Sequence, residues 1–152
     1  MQDLKLLLDD HTLLSSSVIH VVALVRRLAE GRFEATALRA EIVRQADLLH
    51  EQLVDHFDFE ETSAFPQLEE LFPAHVGELQ EFVSKHDGIL QTFDALRTEL
   101  SFNDALLDRN GLLGKALSFE REFEAHATAE TTLFNGLAAK LPLSQESVKR
   151  AN

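Results

Sequence analysis

The sequence predicts an all-α fold, a four-helix bundle with its helices running up-down-up-down and antiparallel. Three observations carry that reading. Apolar residues recur in alternating steps of three and four through four segments of similar length. Prolines stand only at positions 66, 73 and 142, and no useful stretch shows the two-residue alternation of a half-buried strand. The links are short, so consecutive helices must lie side by side.

The first segment covers residues 2–30 and stops at Gly31, a residue suited to the left-handed position just past a helix. The second runs over 35–65, where Phe65-Pro66 is expected to close it, because proline disfavours helix in the residue before it. Pro73 then suits the first turn of a third segment, 74–101. The stretch from Ser101 to Gly111 reads as a joint, and the fourth segment spans 112–140 and ends before Pro142. The bundle is therefore expected to occupy residues 1–141, with 142–152 as a loose tail.

Composition narrows the chemistry. The formal net charge of −12 would repel phosphate backbones and anionic membrane surfaces, so neither nucleic acid nor membrane is an expected partner. With no cysteine, any metal must be held by nitrogen and oxygen. The absence of tyrosine excludes a tyrosyl radical and a tyrosine ligand. Met-Gln-Asp-Leu-Lys at the start lacks the features of a secretory leader, which makes a cytoplasmic location the expectation. The most apolar stretch, Leu13 to Val25, is shorter than the roughly 20 residues a membrane span needs and reads as a core helix.

The four seams name the candidate site. They run Leu4, Leu7, His11, Leu14, Val18, Val21, Val25, Leu28; Ile42, Ala46, Leu49, Leu53, His56, Glu60; Leu79, Phe82, His86, Ile89, Phe93, Leu96, Leu100; and Ala116, Phe119, Phe123, His126, Glu130, Leu133, Leu137. Their only polar members are four histidines and two glutamates, groups that are costly in an apolar core without partners. Two residues on antiparallel neighbours share a level when the midpoint between them falls in the connecting loop. The midpoints are 33.5 for His11 and His56, 71 for His56 and His86, and 106 for His86 and His126, each inside a link. Glu60 and Glu130 follow His56 and His126 by one helical turn on the same faces. The result is a lone histidine followed by a His-x-x-x-Glu pair, twice over. Neutral imidazoles with carboxylates suit iron, manganese or zinc, and two carboxylates between two imidazole sets can bridge a pair of ions.

The other polar candidates read differently. Glu61 lies off the seam and is not expected to be a ligand. His75 lies about 16 Å along the helix from His86, and His20 and His50 read as surface residues. Phe82 and Phe123, seam neighbours of the ligands, are candidates to shield the metals from water.

Asp10-His11, His56-Phe-Asp-Phe-Glu60-Glu61 with Phe65-Pro66, Lys85-His86-Asp87, and His126-Ala-Thr-Ala-Glu130 with Leu133-Phe134 together resemble the hemerythrin-like, or HHE cation-binding, family over nearly the whole chain. The resemblance implies a hemerythrin-like bundle holding a non-haem di-iron centre, two iron ions with an oxo or hydroxo bridge. It does not imply oxygen transport. Oxygen carriers of the family add a histidine where this chain has Leu90 and use an aspartate where it has Thr131. The pattern looks like the four-histidine, two-glutamate branch, which implies a protein that binds, senses or reacts with oxygen, peroxide or nitric oxide. A metal storage, transfer or regulatory module without catalysis is the alternative, and protein partners are not legible. A ferritin-like site would need Glu-x-x-His pairs, and no histidine here has a glutamate three residues before it.

Overall fold

Four long helical rods form a square, and the residues described in the computed structural model are 2–31, 35–102 and 107–142. Helix α1 is Gln2–Glu30, α2 is Ala35–Phe59, α3 is Phe65–Leu71, α4 is Val76–Leu100 and α5 is Arg109–Lys140. A five-residue π turn, Glu60–Ala64, joins α2 to α3 without a break, so these three pieces make one rod. Helix α1 packs against α2 and α5, and α4 packs against the same two. Contacts between helix ends fix the antiparallel sense: Arg39 donates twice to the Leu100 carbonyl at 2.9 and 2.7 Å, and Gln67 donates to Asp3 at 2.9 Å.

The helices end where local chemistry dictates, with two departures from expectation. Gly31 takes a φ of 68° and its N–H returns to the Leu28 carbonyl, closing α1 as its sequence implies. The second rod, in contrast, does not stop at Phe65-Pro66. Pro66 has no N–H to donate and its ring would collide with the carbonyl four residues back. The preceding π turn, in which Phe65 N–H bonds to the Glu60 carbonyl, widens the backbone so that the rod continues to Leu71. Chain reversal falls instead at Phe72, with φ −131° and ψ 67°, before a single 3₁₀ turn at Pro73–His75. That is next to the midpoint of 71.

Helix α5 starts earlier than expected, at Arg109, so Asn110 and Gly111 belong to its first turn rather than to the joint. Asp108 caps it by accepting from the Gly111 N–H at 3.0 Å. A Cβ at residue 111 would lie 2.4 Å from the Asp108 carboxylate, so glycine lets the cap fold over the helix end. The tail expected beyond Pro142 lies outside the described residues.

Every seam residue is buried except Leu133, which is half-buried while Phe134 takes the core position. A straight helix drifts from a strict 3.5-residue repeat, and here a step of four after Glu130 absorbs the drift. Helix α1 contains an 18-residue window of mean hydropathy 1.4 and is long enough to cross a membrane by length and composition. In the bundle, ten of its residues are buried against its neighbours.

The buried apolar residues divide into two clusters. The larger includes Val18, Leu49, Ile89, Phe93, Phe119 and Phe123, and the smaller includes Leu4, Leu7, Phe65, Leu68, Leu79, Phe82 and Phe134. Between them lies a polar layer.

Candidate metal centre

The six polar seam residues meet in that layer, one imidazole from each rod and one carboxylate from each of two. His11, His56, Glu60, His86, His126 and Glu130 are all buried. Within a helix, a side chain and the one four residues on sit on the same face. His56 Nε2 therefore faces Glu60 Oε1 at 3.0 Å, and His126 Nε2 faces Glu130 Oε1 at 2.7 Å. Across helices, His86 Nε2 lies 3.1 Å from Glu60 Oε2, while His11 Nε2 lies 3.6 Å from Glu60 Oε1 and 3.8 Å from Glu130 Oε1. The ring centroids of His11 and His56 are 5.0 Å apart, and those of His86 and His126 are 5.1 Å apart. The two oxygens of Glu60 thus face different histidines, the posture of a bridging carboxylate.

None of these approaches makes a hydrogen bond. His11 Nε2, His86 Nε2, His126 Nε2 and all four oxygens of Glu60 and Glu130 are buried without a hydrogen-bond partner. Buried polar atoms without partners are expensive, and seven gathered in one layer call for a cation. Two ligand groups emerge, each with its ligand atoms within 4.8 Å of one another: Glu60, His86, His126 and Glu130, and His11, His56 and Glu60. Glu60 belongs to both. The donor set is nitrogen and oxygen with room for a cation, and it fits a metal on its chemistry as well as its geometry.

The electrostatics follow from this crowding. Burial works to raise the Glu60 carboxyl, but the imidazoles of His11, His56 and His86 around it hold it well below the usual carboxylate range. Burial and the neighbouring Glu60 charge raise Glu130, against the opposing pull of His126. Burial pulls His56 and His86 down, yet the carboxylates facing them leave both raised. His56, His86 and Glu130 thus hold a proton more readily than such groups ordinarily do, and Glu60 less readily.

Each histidine points Nε2 inward, and three of the four outer Nδ1 atoms are held from behind. His11 Nδ1 meets Thr131 Oγ1 at 2.9 Å, His86 Nδ1 meets Glu61 Oε1 at 2.8 Å, and His56 Nδ1 lies 3.5 Å from Asp10 Oδ2. His126 Nδ1 has no hydrogen-bond partner among the described residues. Such outer contacts fix tautomer and ring orientation at metal sites. Asp10, Glu61 and Thr131 are absent from the seam, so periodicity alone does not find them. The available signal was their adjacency to ligands in sequence.

Aromatic rings wall the layer. Phe57 stacks on His86 at 4.0 Å and 8°, Phe134 stacks on His11 at 5.6 Å, and Phe82 meets His126 edge-on at 5.8 Å. Phe123, the other candidate shield, stacks on Phe119 and belongs to the larger apolar cluster, as Phe57 does.

The remaining histidines stay outside the layer. His75 pairs with Glu78 at 2.8 Å and approaches Lys140, His50 stacks on Phe93 and faces Asp94, and His20 is exposed.

The family model for the hemerythrin HHE cation-binding domain matches residues 4–138. The chain belongs to that family. A search of curated proteins and a search of solved structures each found no match. The match to the HHE family covers all six layer residues and the three outer partners, and its description as cation-binding agrees with the unpartnered donors found here. The HHE domain implies cation binding, and the two histidine and glutamate groups that could hold a metal lie between the two apolar clusters of the bundle.

Proposed function

We propose that the layer holds two iron ions and that the protein binds, senses or reacts with a small ligand: oxygen, nitric oxide or peroxide. The observation that carries this is the division of the donors into two groups joined by Glu60, since four imidazole nitrogens and four carboxylate oxygens exceed the six positions of one octahedral ion. In this reading His11 and His56 serve one ion, His86 and His126 the other, and Glu60 and Glu130 lie between. Eight or so of about twelve coordination positions would then be filled by protein. An iron pair would supply redox chemistry and free positions for an exogenous ligand.

The chain's own residues support the rest. Glu60 and Glu130 bring negative charge that offsets the ions' positive charge inside a low-dielectric layer. Phe57, Phe82 and Phe134 keep bulk water from the histidines. The acidic surface, at a net charge of −12, favours cations and disfavours anionic polymers.

The test is metal analysis of protein purified from iron-replete cells, with an optical spectrum before and after reduction and exposure to oxygen or nitric oxide. About two irons per chain and a spectrum that changes with the gas are expected. One metal per chain, or zinc alone, would refute the binuclear iron reading. Iron with no response to either gas would favour a storage or regulatory module.

A further inference from the structure

Two of the ligating histidines have no carboxylate on their own helix. Four residues after His11 stands Ser15, and four after His86 stands Leu90, whereas His56 and His126 each have a glutamate at that step. A lone ring must take its orientation from a neighbouring rod. The residue directly after each glutamate supplies it: Glu61, next to Glu60, meets His86 Nδ1 at 2.8 Å, and Thr131, next to Glu130, meets His11 Nδ1 at 2.9 Å.

We propose that Glu61 and Thr131 are paired positioning residues, each accepting the Nδ1–H of the lone histidine on the adjacent helix and so committing that ring's Nε2 to the metal layer. The regularity deepens the metal-centre reading above and rests on it. Consecutive helical residues point about 100° apart. One therefore reaches the centre while the next reaches around the flank to the neighbouring rod. His86 is gripped by one segment on three sides: Glu60 at Nε2, Glu61 at Nδ1, and Phe57 across its face at 4.0 Å. The π turn that begins at Glu60 places both glutamates on this one ring.

The two clamps are not chemically equal. A carboxylate is a stronger acceptor than a hydroxyl, and it makes the imidazole a stronger donor to a cation. The half of the layer built around His86 is therefore the more tightly held. Glu61 is itself largely at the surface, its side chain 42% exposed, so its replacement leaves the packing of the core intact.

The experiment uses the full chain with Zn²⁺ as a diamagnetic probe, comparing Glu61→Ala, Glu61→Gln and Thr131→Val with the unsubstituted protein. Zn²⁺ affinity should fall roughly 10–100-fold in Glu61→Ala and less in Thr131→Val, and Glu61→Gln should recover most of the loss, because its amide oxygen accepts the same bond. In ¹⁵N-histidine spectra of the metal-free protein at alkaline pH, where the ring is neutral, His86 should carry its proton on Nδ1 in the unsubstituted protein and in Glu61→Gln. That preference should be lost in Glu61→Ala. An unchanged tautomer in Glu61→Ala, or a Glu61→Gln as weak as Glu61→Ala, would overturn the proposal. Failure of the unsubstituted protein to take up any metal would instead refute the metal-centre reading, and the tautomer measurement would still decide the clamp.

Discussion

In α1 the seam reads Leu7, His11, Leu14, and in α4 it reads Phe82, His86, Ile89, so the polar layer and the apolar layers beside it occupy one set of helix positions. What differs is how each is satisfied. Phe93, Phe119, Leu49 and Leu53 are fully buried and gain from contact with one another. The histidines and glutamates are buried too, yet seven of their inward atoms have no hydrogen-bond partner among the described residues. Apolar layers therefore stabilise the bundle by themselves, whereas the polar layer costs stability until a cation arrives. Substitution in one should cost folding and in the other should cost metal.

The largest expected effect tests the polar side of that contrast. Glu60→Ala should abolish metal loading at both positions, since Glu60 belongs to both ligand groups, while Glu130→Ala should remove about half. Metal content per chain by elemental analysis checks it. Equal, partial losses from the two substitutions would show that Glu60 does not bridge. Chelation of the unsubstituted protein should in turn lower the melting temperature, because a ligand present at a thousand times its Kd stabilises by about 4 kcal/mol.

The apolar side is tested by Phe93→Ala, which should cost about 3–5 kcal/mol of stability as a cavity in a close-packed core. Metal stoichiometry at low temperature should be unchanged. Loss of metal from a folded Phe93→Ala protein would mean that the layers are not separable.

A smaller effect concerns pH in the metal-free protein. His56 and His86 hold protons more tightly when folded than their ordinary value of 6.5 implies. Their contribution to stability is therefore complete below 6.5 and lost as pH rises through the raised folded values. Glu130, also raised, acts in the same sense from its lower ordinary value of 4.5. Glu60, lowered, opposes them and loses its contribution only in stronger acid. Urea titrations of the chelated protein should show less stability at about pH 8 than at about pH 6. Saturating metal displaces those protons and should reverse the slope. A metal-free protein more stable at the higher pH would contradict the proton-holding layer.

The smallest expected effect is none. His75→Ala should leave metal content and melting temperature as they are, because His75 sits in the 3₁₀ turn paired with Glu78. Any loss of metal would place the ligand layer one level too far along α4.

Much of this was legible in the chain. Helix periodicity and the three midpoints bring His11, His56, His86 and His126 to one level, because an α-helix has a fixed rise and short links force neighbours to align. The midpoint of 71 located the reversal near Phe72 better than the proline rule, which placed the end of the second rod at Phe65. Proline acts locally, whereas the midpoint reflects the length that both rods must share.

Spacing along a helix of constant geometry was enough to lay out the four rods and to bring six polar seam residues to a common level. It took the packed fold to show that a π turn carries the second rod past Pro66, that Glu60 turns one oxygen to His56 and the other to His86, and that Glu61 and Thr131 stand behind His86 and His11. Those facts depend on how one helix is rotated against the next, and a residue on the flank of its own helix acquires a role only when a neighbour is turned toward it.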